Sequence, residues 1–283
     1  MIKIFKEAFK ISYNNIIIAT PLLIFLLIIN LYLVISKNAV SALPSTILFF
    51  TTLFLMISAF LAGWFYMVKT AVDNHVYAPE KEKIYGSFDL IKEFPVGISE
   101  HIKSFLGFTV LYLIIADLGF IAVYHTGLKL IGGIGISFAQ FVSATEAPVA
   151  MQALLQSFTK AQLLKINYWY LLVMSSIQLF TLLTLFWPIE LMYSTKNPFV
   201  AFFKSISRIL KNPEVILLFI GINIINLILT LLNYAAIFNP ITYFIVTMIY
   251  FYFIVYVFVL LFLYYDQKIK GNSNSGTDSD RQE

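Results

Sequence analysis

The sequence predicts an all-α polytopic membrane helix bundle, in which six transmembrane helices form three hairpins, each preceded by a cytoplasmic interfacial amphipathic helix. Three observations carry this expectation. Hydrophobic residues make up 60% of the 283 positions and charged residues 12%, against about 45–50% and 25% in soluble domains. Six apolar stretches each approach roughly 20 residues, the length needed to cross a bilayer's hydrocarbon layer. Lysine and arginine crowd alternate connecting segments, leaving the intervening ones nearly bare.

By length and exclusion of charge, the spans fall at about residues 16–35, 46–68, 104–124, 168–187, 215–232 and 241–263. The third contains Asp117. The first run has a basic start and a small-residue site at Ala39-Val40-Ser41, but its apolar core exceeds the roughly 7–15 residues of a secretory signal. It is therefore read as a retained anchor. Residues 1–270 form a single transmembrane domain, and the Ser-, Asn- and Gly-rich residues 271–283 form a disordered tail.

Fifteen of the nineteen lysines and arginines lie in the two termini and in the second and fourth connections. The others are Lys37, Lys129, Lys160 and Lys165. By the positive-inside rule both termini face the cytoplasm, and the protein is a multi-pass component of the plasma membrane.

The clearest entry helix begins at Asn197-Pro198, an N-cap followed by proline at the first helical position. Phe199, Phe202, Phe203, Ile206, Ile209 and Leu210 recur at helical spacing, with Lys204, Ser207, Arg208 and Lys211 largely on the other side. Lys211-Asn212-Pro213 ends it. Ile2, Phe5, Ala8, Phe9 and Ser12 alternate similarly with Lys3, Lys6, Glu7 and Lys10. In the middle copy Ser87 caps residues 88–94, Pro95 breaks the helix, and Ile98, Ile102 and Phe105 resume a face. Each would lie in the headgroup plane with its apolar stripe toward lipid. Phe5–Asn15 and Phe202–Asn212 have equal length, and the tetrapeptides at 28–31 and 224–227 are both Ile-Ile-Asn-Leu, which suggests an internal repeat.

The long connection after the third span contains residues 128–141, read as a short extra helix or a re-entrant piece. Gly132-Gly133-Ile134-Gly135 lies within it, and an amphipathic helix is expected over residues 148–166.

Chemistry-bearing residues are few. With no cysteine and only three histidines, His75, His101 and His125, the chain offers no metal-ligand run. It has no phosphate loop and no nucleophile elbow, so neither an enzyme nor a cofactor is expected. Asp117 lies about 20 Å along the third span from Ser104 at 1.5 Å per residue. A carboxylate there costs about 2.5–3.5 kcal/mol on insertion scales, so it should face protein or water. It is either a coupling residue on a solute path or a structural partner of a neighbouring helix. Gln178, Asn223 and Asn226 are the other candidates for an intramembrane polar site, or else interhelical glue. Glu190 either pairs with Lys196 or Lys69 or is solvated at a helix end. His75, His101 and the run Glu80–Lys83 read as solvated. Lys6, Lys10, Lys204, Arg208 and Lys211 are the candidate lipid-headgroup contacts.

Three stretches carry a family resemblance: the Ala8-Phe9-Lys10 entry within Phe5–Asn15, the Asn-Pro-led charged helix within Pro188–Pro213, and the aromatic-Asp close Leu263-Tyr264-Tyr265-Asp266. In these the chain resembles bacterial six-span proteins, namely the membrane domain found beside glycerophosphoryl diester phosphodiesterase catalytic domains and its stand-alone relatives. The likeness covers most of the chain and implies topology. It does not imply hydrolysis, because the phosphodiesterase barrel with its His and Glu ligands is not in the chain.

The expected role is a non-enzymatic membrane module that interacts with lipid or assists a partner. Its partners would be membrane lipids and a membrane protein or further copies of itself, with no nucleic acid. The alternative is a small-solute or lipid transporter using Asp117, Gln178, Asn223 and Asn226.

Overall fold

The computed structural model describes residues 2–36, 43–78, 89–135, 152, 154 and 156–270. The helices are α1 (Ile2–Asn14), α2 (Ala19–Ser36), α3 (Leu43–Tyr77), α4 (Asp89–Leu130), α5 (Lys160–Thr184), α6 (Trp187–Tyr193), α7 (Pro198–Lys211), α8 (Glu214–Ala236) and α9 (Pro240–Tyr264). A 3₁₀ turn, Ile16–Ile18, joins α1 to α2, and a π-helical turn, Tyr265–Lys270, extends α9. Among the described residues there is no strand. Six helical stretches are long and apolar enough to cross a membrane, so the fold is the all-α polytopic bundle the sequence predicts.

Proline placement sets many of the starts. Pro21, Pro44, Pro188, Pro198 and Pro240 all sit in first turns, where a missing N–H costs no helical bond. Asn197 Oδ1 accepts from the N–H groups of Phe199 and Val200 at 3.0 and 3.2 Å. Asn239-Pro240 repeats the device, with Asn239 Oδ1 accepting from Ile241 and Thr242 at the same distances. Thr159 and Gln162 form a capping box at the start of α5, Gln162 Oε1 accepting from Thr159 N at 3.0 Å.

Two boundaries differ from expectation. Pro95 does not break a helix, because it lies inside the continuous α4. Phe94 packs on Phe60 and Gly63, and Gly97 on Ala62 and Tyr66. His101 and Phe105 meet that same stretch of α3, at Tyr66 and Phe65. The first turns of α4 thus lie across α3 instead of continuing antiparallel to it, and the entry segment and third span are one helix. The fourth span begins earlier, at Lys160, so the end of the expected 148–166 helix belongs to it. It stops at Thr184, and turn residues 185–186 separate it from α6. Of residues 128–141, Leu128–Leu130 end α4 and 131–135 form a turn. Residues 136–141, most of 148–156, Lys37, Glu80–Lys83, the Ser87 cap and the 271–283 tail lie outside the described residues.

Packing divides the chain into a larger unit, residues 1–111 with 184–283, and a smaller one, residues 112–183. In the larger unit the first helix and the π-helical turn after α9 meet at one end, where Gln267 Nε2 donates to Glu7 Oε2 at 3.0 Å. Burial concentrates at that basic end. In α3 it runs from Ser58 to Val72, in α9 from Val255 onward, and in α2 it reaches only Leu22. Two tryptophans organise this core. Trp64 Nε1 donates to Ile18 O at 2.9 Å, fastening the 3₁₀ turn to α3, and Trp187 Nε1 donates to Pro198 O at 2.7 Å, fastening α7 to α6.

The smaller unit is a two-helix pairing of the second part of α4 with α5. Tyr112 meets Phe180, Tyr124 meets Trp169, and Gly127 abuts the Trp169 ring, which a Cβ at 127 would strike. At the turn, Gly132 and Gly135 have φ of 79° and 80°, the left-handed region that favours glycine. Trp169 Nε1, Lys165 Nζ and Gln162 Nε2 donate to the carbonyls of Gly132, Gly133 and Ile134 at 3.1, 3.2 and 3.2 Å.

Candidate functional site

Helices α1 and α7 are each built with three faces. In α1, Ile4, Ala8, Ile11 and Ser12 are buried, mainly against α9, while Ile2, Phe9 and Tyr13 are exposed beside exposed Lys3, Lys6 and Lys10. In α7, Ala201, Ser205 and Ile209 are buried, and Phe199, Phe203 and Leu210 are exposed beside exposed Lys204 and Lys211. At about 100° per residue, both helices present the protein-facing, apolar and basic faces in the same rotational order. The expected apolar stripe is therefore divided: Ile209 turns into the protein, and the outward row is Phe199, Phe203 and Leu210.

The likeness extends to details. Ile4, Ala8 and Ser12 occupy the places of Ala201, Ser205 and Ile209. Asn15 Nδ2 donates to Ile11 O at 2.9 Å and Asn212 Nδ2 to Arg208 O at 2.8 Å, each bonding back four residues as its helix ends. This is geometric support for the repeat suggested by Phe5–Asn15 and Phe202–Asn212.

A second exposed apolar feature lies where the start of α4 crosses the first hairpin. Ile24 and Phe25 of α2, Met56 and Phe60 of α3, and Phe94 and Pro95 of α4 line an apolar cleft of about 460 Å³. Its position follows from the close crossing at Gly97, where a Cβ would come within 2.9 Å of Ala62 O.

Behind these faces the returning ends of the three hairpins are clasped by charge. Tyr77 Oη donates to Asp266 Oδ2 at 2.6 Å, and Tyr193 Oη to Asp73 Oδ1 at 2.9 Å. Lys270 Nζ lies 3.3 Å from Asp266 and Lys69 Nζ 3.5 Å from Asp73. The two ammonium groups lie 5.2 and 5.4 Å from the centroid of the Tyr193 ring. Glu190 is fully buried and pairs with Arg208 Nε at 3.4 Å. It is neither solvated nor bound to Lys196 or Lys69. Lys196 instead reaches Glu100 O at 3.5 Å, and Lys69 is taken by Asp73. Arg208, a candidate headgroup contact, thus has its Nε committed to Glu190. His101 is likewise not a solvated loop residue: it is buried on α4 beside Tyr66. Asp73, Tyr77, Tyr193 and Lys270 were not singled out from the sequence. Each lies past the end of an apolar run, where the signal is indistinguishable from that of solvated flanks.

The four intramembrane polar candidates separate by environment. In the larger unit, Asn223 Nδ2 bonds its own helix at Phe219 O, 2.9 Å away, and Asn226 Oδ1 accepts from Tyr250 Oη of α9 at 3.2 Å. In the smaller unit, Asp117 on α4 and Gln178 on α5 are exposed. Among the described residues no group of three or more His, Cys, Asp or Glu side chains could hold a metal ion.

Compared with protein-family models, with curated proteins and with solved structures, the chain matches none. The geometry therefore carries the functional argument alone, and it identifies an integral, multi-pass membrane protein.

Proposed function

We propose that the protein is a non-enzymatic plasma-membrane module whose basic, cytoplasmic end binds anionic lipid and holds it for the bilayer or for a partner protein. One observation carries this reading. Helices α1 and α7 expose an apolar row, Ile2, Phe9 and Tyr13 or Phe199, Phe203 and Leu210, directly beside exposed lysines, while their third face is fixed to the protein. An interfacial helix needs these surfaces: apolar groups below the headgroups and cations level with them, each cation contributing about 1 kcal/mol near an anionic surface. The apolar cleft under α4 suits an acyl chain. Asn223 and Asn226 are engaged in helix contacts, which weakens the transporter alternative.

The test is lipid retention. Wild type purified from mixed anionic and zwitterionic membranes should keep anionic lipid, measured by mass spectrometry of the purified protein. A variant with Lys6, Lys10, Lys204 and Lys211 all changed to Gln should keep much less. Equal retention by both proteins, with the fold intact, would remove the proposal.

A further inference from the structure

Within the smaller unit, helix α4 carries a face that the described residues leave largely exposed. Its inner stripe, Tyr112, Val123 and Gly127, is turned to α5. Rather more than a third of a turn away, at about 100° per residue, Ile114, Asp117, Ile121 and Leu128 are exposed, as is Tyr124, one edge of which also meets the Trp169 ring. Their spacing alternates three and four residues, the seam of a two-stranded helical coil. Asp117 occupies a seam position and, among the described residues, has no hydrogen-bond or ion-pair partner. It is also the only charged residue within the six predicted spans. It lies seven residues inward from Tyr124, about 10 Å at 1.5 Å per residue, on a unit whose aromatic residues Tyr124, Tyr168, Trp169 and Tyr170 suit the interfacial belt.

From this face we infer that the protein forms a homodimer in the membrane, with α4 of one copy lying parallel to α4 of the other and the two Asp117 carboxyl groups meeting across the twofold axis. This inference is independent of the lipid reading. A second copy with the same topology necessarily runs parallel and places its carboxyl group at the same depth. A carboxyl group also complements itself, because the acid form donates through O–H and accepts through C=O. A foreign helix would need a polar group at that depth by coincidence. One polar position in an otherwise apolar seam sets register, and an uncovered carboxylate at that depth is costly in lipid.

The chain has no cysteine, so single-cysteine variants test the seam directly in native membranes. Ile114→Cys and Ile121→Cys should give a crosslinked homodimer, and Leu118→Cys, off the seam, should not. Asp117→Asn, which still donates and accepts, should retain the crosslink. Asp117→Lys should abolish it with itself but restore it when co-expressed with a differently tagged wild-type chain. Recovery of that mixed dimer also shows that the variant inserts and folds. Equal crosslinking at all three positions, none at any, or crosslinking only to a different polypeptide would overturn the proposal. So would rapid reaction of Asp117→Cys with a membrane-impermeant thiol reagent, which would place that position on a water-lined path.

Discussion

The two units use one device in opposite surroundings. In the larger unit the indole N–H of Trp64 closes a carbonyl left by the turn at Ile18, and the ring is 2% exposed. In the smaller unit the indole of Trp169 closes Gly132 O, but both partners are only partly buried and much of both helices faces outward. The difference teaches where the chain stores its stability. The basic end is packed with aromatic rings and paired charges, whereas the smaller unit holds a turn and a single line of contacts. Such thin packing suits an element whose remaining surface is completed by lipid or another protein.

The largest effect should come from Arg208→Ala, because it leaves the carboxylate of Glu190 buried and unpaired. Removing one partner of a buried pair costs about 3–5 kcal/mol, which thermal unfolding in detergent would register as a large fall in Tm. A Tm close to wild type would mean that water already reaches Glu190. Next, Gly97→Val should force α4 away from Tyr66 and Ala62, with an overpacking cost of about 1–3 kcal/mol. Gly119→Val, at a site with nothing within 4 Å, should cost far less, and comparable losses at both positions would argue against the close crossing.

Tyr77→Phe removes a donor from the buried Asp266, for which about 1–3 kcal/mol is expected. Proteolysis after Tyr77 in the variant should accelerate if this clasp holds the returning ends together. The smallest contrast is the sharpest one. Trp64→Phe should cost about 1–2 kcal/mol and Trp169→Phe about 0.5 kcal/mol, since a bond lost in a buried place leaves a carbonyl that water cannot reach. If the order were reversed, the smaller unit would be the better packed of the two.

The six spans were legible because exclusion of charge over a bilayer's thickness is a strong one-dimensional signal. The Asn197-Pro198 start was legible because cap and proline are adjacent. Asn239-Pro240 carries the same signature, but there it coincides with the edge of an apolar run, which hides it. Periodicity divides a helix into apolar and polar sides, so it could not show that α7 has two apolar faces with different destinations. Only the small residues Ala201 and Ser205, which permit close approach to α6, mark the protein-facing side. Pro95 misled because a proline inside a helix ends it in most contexts, whereas here the crossing over α3 supports the turns on both sides. The clasp was least legible, since pairs such as Tyr77 with Asp266 join residues far apart in sequence, at the ends of different hairpins. Tyr264, Tyr265 and Asp266, consecutive at the end of α9, are all buried in that layer.

Phe203, Lys204 and Ser205 are consecutive, and the proposed role of α7 assigns them three environments. Nitroxide spin labels placed singly at these positions in the reconstituted protein would report each one. The account predicts that the label at 203 collides mainly with oxygen dissolved in the lipid, that at 204 mainly with a water-soluble paramagnetic reagent, and that at 205 with neither. A label at 203 relaxed chiefly by the aqueous reagent would contradict it, because the exposed aromatic row would then face water and α7 would not lie on the membrane.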